Sequence, residues 1–287
     1  MEIISSSFLS NGHKIGTRII NNNKEKNILL LHGFNDTKET FLFQEKFLSE
    51  YFNIYSFDFR GHGDSDWKKD TVYSSVESLL DIHNFVTKFL PESFFLLGHS
   101  MGAGLASRYA GFYPEKILGL ILFEGFSGLQ GEDKDAERIK SWLETMSKKK
   151  LSPPVRKESS FEDLETKLGF IYNRLEKEKV KLLLPALIEE TESGKFRWKN
   201  DPNLKTGSPI PFPSNLSRHL WKKISCPVLI FFGKETHLMP KHLEEILSHF
   251  ANIEFNEIES AGHNFHHEKP DEINNKIKAF LNKNMFV

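Results

Sequence analysis

Apolar residues along the chain follow two different periods. Nearly solid apolar runs occur at Ile28–Leu31, Phe94–Leu97, Ile117–Phe123 and Val228–Phe232. Runs this short, without polar alternation, are expected of strands buried on both faces. Phe52–Phe59 has apolar residues at 52, 54, 57 and 59 and reads as another strand, as does 252–258. Helical spacing fills the stretches 38–50, 75–90, 101–112, 240–249 and 271–282. In the second of these, Val76, Leu79, Leu80, Ile82, Val86 and Leu90 fall near one face. Residues 3–9 and 13–20 predict two strands joined by a turn at Asn11-Gly12. The alternation of strand and helix implies an α/β fold: a mostly parallel, eight-stranded sheet with helices on both faces. Sites in such sheets lie at the carboxyl ends of the strands.

Residues 126–222 break this pattern. They are charged, helical and poor in strands, with helices predicted at 132–149, 161–177 and 180–192 and a link containing Pro202, Pro209, Pro211 and Pro213. So long an excursion between core strands is expected to be a helical cap or lid rather than a loop. The organisation expected is therefore a core of 1–125 and 223–287, with a lid of 126–222 inserted after the sixth strand. Leu182, Leu183, Leu184, Leu187 and Ile188 either pack among the lid's own helices or face the site.

Composition narrows the function classes. The 287 residues carry a net charge of -1, which points to neither nucleic acid nor an acidic membrane surface. Cys226 is the single cysteine, so no intramolecular disulfide forms, in keeping with a reducing compartment. No signal-like segment occupies Met1–Gly12, and no apolar run reaches the length of a membrane span. A cytoplasmic protein without a stable membrane anchor is expected. Nothing in the sequence speaks to oligomeric state. No metal-ligand spacing and no phosphate-binding glycine loop is found, so neither metal nor cofactor is expected.

The candidate chemistry starts at Gly98-His99-Ser100-Met101-Gly102, between the run Phe94–Leu97 and the helix that follows. A serine on a sharp strand-to-helix turn is strained, and the positions two before and two after it must be small. The turn lifts the hydroxyl out of the sheet, and the helix N-terminus directs N–H groups at whatever binds there. Ser100 is the expected nucleophile.

The segments LLLHGF (29–34), FDFRGHGDSD (57–66), GHSMG (98–102), CPVLIFFG (226–233) and SAGHNFHHEKP (260–270) together resemble the α/β-hydrolase fold superfamily, in that family's order. LILFEGF (120–126) and RWKNDP (197–202) resemble its serine hydrolase-like branch. The resemblance implies His263 as the general base and the backbone N–H groups of Phe34 and Met101 as the oxyanion hole. His32 and His99 then fall behind the site as structural residues, His62, Asp58, Asp64 and Asp66 serve turns, and His266 and His267 hold the loop of the base.

The acid departs from the family pattern. Where most members carry aspartate, three residues past Gly233, this chain has Thr236. Glu124, at the end of an apolar strand, is the preferred substitute, because burial of an unpaired carboxylate there would be costly. Glu235 is the alternative, and loss of the acid altogether is the third possibility. The function implied is hydrolysis of a small ester-type substrate through an acyl-enzyme. Ser100 argues against epoxide and haloalkane hydrolysis, which need a carboxylate nucleophile. Carbon–carbon bond hydrolases and aminopeptidases with the same triad remain open, as does a non-catalytic, receptor-like member of the fold.

Overall fold

The computed structural model describes residues 2–68, 72–126, 132–148 and 157–286. The chain opens with a hairpin of β1 (Glu2–Ser10) and β2 (His13–Asn21), turning through Asn11 and Gly12, both at positive φ. There follow β3 (Lys26–Leu31), α1 (Leu42–Leu48), β4 (Phe52–Phe57), α2 (Ser75–Phe89), β5 (Phe94–His99), α3 (Met101–Phe112) and β6 (Ile117–Phe123). The inserted segment contains α4 (Glu132–Lys148), α5 (Phe161–Ile171), α6 (Lys177–Leu187), β7 (Ile188–Glu190), β8 (Phe196–Trp198) and α7 (Ser214–Trp221). The chain closes with β9 (Val228–Gly233), α8 (Leu243–Leu247), β10 (Ile253–Ile258), α9 (Phe265–Glu268) and α10 (Pro270–Lys283).

Eight strands form one sheet in the order β1-β2-β4-β3-β5-β6-β9-β10. Neighbours from β4 to β10 are parallel; β2 runs antiparallel to both β1 and β4. The solid apolar runs split cleanly by parity. Leu29, Leu31, Leu96, Leu120, Leu122 and Ile230 join the core beneath α2, α3, α7 and α8. Ile28, Leu30, Leu97, Ile121, Phe123 and Leu229 join the core beneath α1, α9 and α10. Neither face meets water, so neither position needs a polar residue. The helix α2 begins in a capping box, with Ser74 and Glu77 each satisfying the other's backbone N–H.

Several element ends differ from expectation. The helix expected over 38–50 is confined to α1, because Lys38 is held in the preceding turn by a buried ion pair with Asp58 at 2.7 Å. The helix expected over 180–192 stops at Leu187, and Ile188–Glu190 pairs instead with Phe196–Trp198. Gly194, at φ 72°, makes the turn between them. Lys149, at the end of the predicted 132–149 helix, lies outside the described residues. Although α7 lies in the segment assigned to the lid, it packs on α3. Trp221 Nε1 donates to Ser107 Oγ at 3.0 Å, and the ring belongs to the main core. The inserted helices keep a core of their own around Leu164, Leu168, Val180, Leu183, Leu184, Leu187 and Ile188, while Leu182 is exposed. Among the described residues, no helix is long and apolar enough to cross a membrane.

Candidate active site

Ser100 sits between β5 and α3 at φ 52°, ψ -114°, a conformation that L-residues avoid. Its own N–H donates to Phe123 O at 2.8 Å, which ties the turn to β6. The flanking glycines are steric necessities. A Cβ on Gly98 would run into the backbone of Gly102 and Ala103, and one on Gly102 into the carbonyls of Leu31 and His32. The expected strand–serine–helix turn is thus held by backbone on both sides.

His263 follows β10 and lines the same cavity as Ser100. Its Nδ1 donates to Glu124 Oε2 at 2.6 Å. Glu124 ends β6 at φ 58° and is fully buried. Its Oε1 accepts from Gly233 N at 3.1 Å, and its Oε2 also accepts from Thr236 Oγ1 at 3.0 Å. The carboxylate is therefore satisfied by three donors from two segments, the end of β9 and the loop after β10, which removes the penalty of burying it unpaired. Glu235 lines a neighbouring cavity that His263 also reaches, but it is engaged by another partner. Its carboxylate is exposed and pairs with Arg174 at 2.8 Å. The serine, His263 and Glu124 are brought together; Glu235 is not.

Met101 is the first residue of α3, so its N–H has no acceptor within the helix. Phe34 follows β3, and its half-exposed ring lines the site beside Ser100. Two neutral histidines hold that loop from behind. Phe59 N donates to His32 Nε2 at 2.9 Å, and Asn35 N donates to His62 Nε2 at 3.2 Å. Burial pushes both imidazoles down to about 3, so they stay neutral and rigid across the working range. His99 Nε2 donates to His263 O at 3.1 Å. His266 and His267 are fully buried in α9, under the base loop.

The aspartates do more than shape turns. Asp58 is fully buried; it accepts the Lys38 and Asp64 backbone N–H groups as well as Lys38 Nζ. Asp64 pairs with Lys38 at 2.6 Å and with Lys199 of the insertion at 3.0 Å. Asp36, two residues past Phe34, is pushed up to about 7 by burial, against hydrogen bonds from Thr40 and the Thr37 N–H. Neither Lys38 nor Asp36 stood out in the sequence as a residue of the site, and Thr236 did so only as the occupant of the acid's usual place.

Two cavities meet at Ser100 and Phe34. One, of about 530 Å³, has apolar walls from the insertion, including Leu168, Ile171, Tyr172, Leu187 and Trp198. The other, of about 330 Å³, is lined by Arg60, Lys68, Arg108 and Arg138 among others. Burial, reinforced by the charge of Asp36, holds the Tyr172 hydroxyl well above its usual range, so it is a neutral donor at the wall of the first cavity.

Comparison with known proteins places these features in context. The family model of the α/β-hydrolase fold matches residues 26–270. A serine hydrolase-like protein of Danio rerio is 22% identical over 264 residues, covering 88% of this chain and 81% of that protein. Monoacylglycerol lipase ABHD6 of Mus musculus is 26% identical over 261 residues, covering 88% and 75%. Among solved structures, a thioesterase domain from the curacin biosynthetic pathway superposes with a TM-score of 0.81 at 21% identity, over 96% of this chain and 99% of that one.

Proposed function

The chain belongs to the α/β-hydrolase fold family, and on that premise we propose that it is a serine hydrolase that cleaves a small ester-type substrate through an acyl-enzyme. Ser100 is the nucleophile, His263 the base and Glu124 the acid that orients it. The observation that carries this reading is the 2.6 Å bond between His263 Nδ1 and the buried Glu124, behind the cavity that His263 and Ser100 line together. With Nδ1–H fixed on the carboxylate, Nε2 is left as the basic nitrogen. It takes the Ser100 proton as Oγ attacks the ester carbonyl. The N–H groups of Phe34 and Met101 receive the oxyanion, and the imidazolium that forms is stabilised by Glu124. Collapse expels the alcohol, which leaves with the proton from His263. Water, activated by the same nitrogen, then releases the acid.

The larger, apolar cavity suits the non-polar part of a small substrate. Of the inserted segment 126–222, the part that carries α5, α6, β7 and β8 acts as its lid, while α7 packs on the core. The lipase name of the mouse relative is likewise an ester-cleaving activity and supports this reading. The single cysteine, Cys226, is buried and unpaired, which supports a cytoplasmic setting.

The test is labelling by a fluorophosphonate probe, which reports an activated serine without knowledge of the substrate. Wild type should label at Ser100 and the Ser100→Ala variant should not. A folded wild type that resists a probe small enough to enter the cavity would refute the assignment.

A further inference from the structure

The cationic cavity has no part in the steps above, and its charges are not all balanced. Arg60 pairs with Asp81 at 2.8 Å, and Lys68 pairs with Glu77 at 2.5 Å. Arg108 has no carboxylate within ion-pair distance among the described residues, and neither has Arg138 of α4. Arg108 is also precisely fixed. Its Nε donates to Ser217 Oγ of α7 at 3.1 Å, and its guanidinium lies 4.6 Å from the centroid of the Phe212 ring. Burial alone pushes it down to about 10, which leaves it charged at neutral pH.

Its place on α3 directs that charge at the reaction centre. Gly104 and Arg108 are one turn apart on α3, and Gly104 N donates to the carbonyl of Ser100, which caps the helix, so the three lie in line. Long helical side chains lean toward the N-terminus, here toward Ser100. Gly104 leaves the way open. Arg108 Nη1 lies 3.4 Å from where a Cβ on Gly104 would stand. With about 5–6 Å between Cβ atoms one turn apart, the guanidinium comes to within roughly 9 Å of the serine.

We propose that Arg108 is a substrate-binding residue, and that the ester cleaved at Ser100 carries a carboxylate three to four bonds from the scissile carbonyl. The proposal rests on the serine hydrolase reading of the same site. A carboxylate fits because Nε is already engaged with Ser217, so the two terminal nitrogens remain to grip two oxygens side by side. The helix N-terminus beside the serine favours an anion as well, and Glu77, the carboxylate among the lining residues, is already paired with Lys68. The apolar remainder of the substrate then occupies the larger cavity, across Phe34.

The experiment compares esters of one size, neutral and anionic. p-Nitrophenyl valerate is set against p-nitrophenyl hemiglutarate, and 2-carbamoylphenyl valerate against 2-carboxyphenyl valerate, the arm that carries the acid on the alcohol side, four bonds from the carbonyl. Wild type should favour one of the anionic esters in kcat/KM by about 30-fold or more, the gain typical of charge-assisted hydrogen bonds. The acid's side of the bond then shows which half of the substrate enters the cationic cavity. In Arg108→Gln the ratio of anionic to neutral kcat/KM should collapse toward unity. A wild type that prefers the neutral ester, or a ratio unchanged in Arg108→Gln, overturns the proposal. Should that variant fail to fold, inhibition of wild type decides. Glutarate should compete with the neutral ester and glutaramide should not; equal inhibition by both overturns it. Fluorophosphonate labelling run alongside separates the two readings, because an unlabelled serine refutes the hydrolase assignment, while a labelled serine without anion preference refutes only the role of Arg108.

Discussion

Replacing His266 with phenylalanine should flatten the acid sensitivity of the fold. His266 is fully buried in α9, with its ring 5.8 Å from Phe41, 5.5 Å from Phe123 and 5.9 Å from Phe265, centroid to centroid. Neither ring nitrogen has a hydrogen-bond partner among the described residues. Burial first, then the neighbouring charges of His267, His99 and His263, hold its pKa well below the ordinary value of 6.5. The native imidazole therefore stays neutral where the unfolded one takes up a proton. Below pH 6.5 the unfolded state binds more protons, so stability falls as pH falls. Between pH 7 and about pH 5.5 this single residue removes roughly 1 kcal/mol. Phenylalanine cannot titrate, and it deletes two unsatisfied polar atoms worth about 1–3 kcal/mol, part of which is lost to its larger volume. Urea unfolding of both proteins at pH 7 and at pH 5.5 measures the difference. The gap in stability should widen by roughly 1 kcal/mol in favour of His266→Phe at the lower pH. Stability curves that run parallel with pH would refute the argument, whatever their offset at pH 7.

Other expectations follow from the same geometry. Glu124→Gln should lower kcat by up to about 10⁴-fold, as loss of a triad acid does, whereas Glu235→Gln, whose side chain is occupied by Arg174, should change it less than about threefold; steady-state kinetics on one ester separate them, and similar losses would sink the assignment of the acid. Lys38→Met leaves Asp58 buried without its counter-charge and should destabilise the fold by about 3–5 kcal/mol. Thermal unfolding would show this as a Tm lowered by roughly 10 °C.

The core strands were legible because their surroundings are uniform. Leu96 and Leu97 enter opposite cores, both dry, so parity left no trace and the solid run itself was the signal. Glu124 was legible for the opposite reason, as a carboxylate at an apolar strand end that needed a partner. What stayed hidden depends on partners far away in sequence. Glu235 lies next to the position expected for the acid, yet Arg174, from the insertion, captures it. Lys38 read as the start of a helix, and only the fold brings Asp58 beside it. Residues 188–192 read as helix because their strand character resides in a three-residue pairing that only the turn at Gly194 makes possible. Arg108 gave no sign, since an unpaired guanidinium is defined by carboxylates that are elsewhere.

The hydroxyl of Thr236 and the imidazole of His263 meet on one oxygen, Glu124 Oε2. A carboxylate carried at position 236 would therefore arrive at the point where the histidine already expects one. On the proposed assignment, the two placements of the acid, after β6 or after β9, are separated by two substitutions, and an intermediate that carries both need not be inactive. With both carboxylates present, mutual repulsion would simply leave one of them protonated, and the other would serve. A lineage can hand its acid from one strand to the next in this way while selection for turnover never lapses.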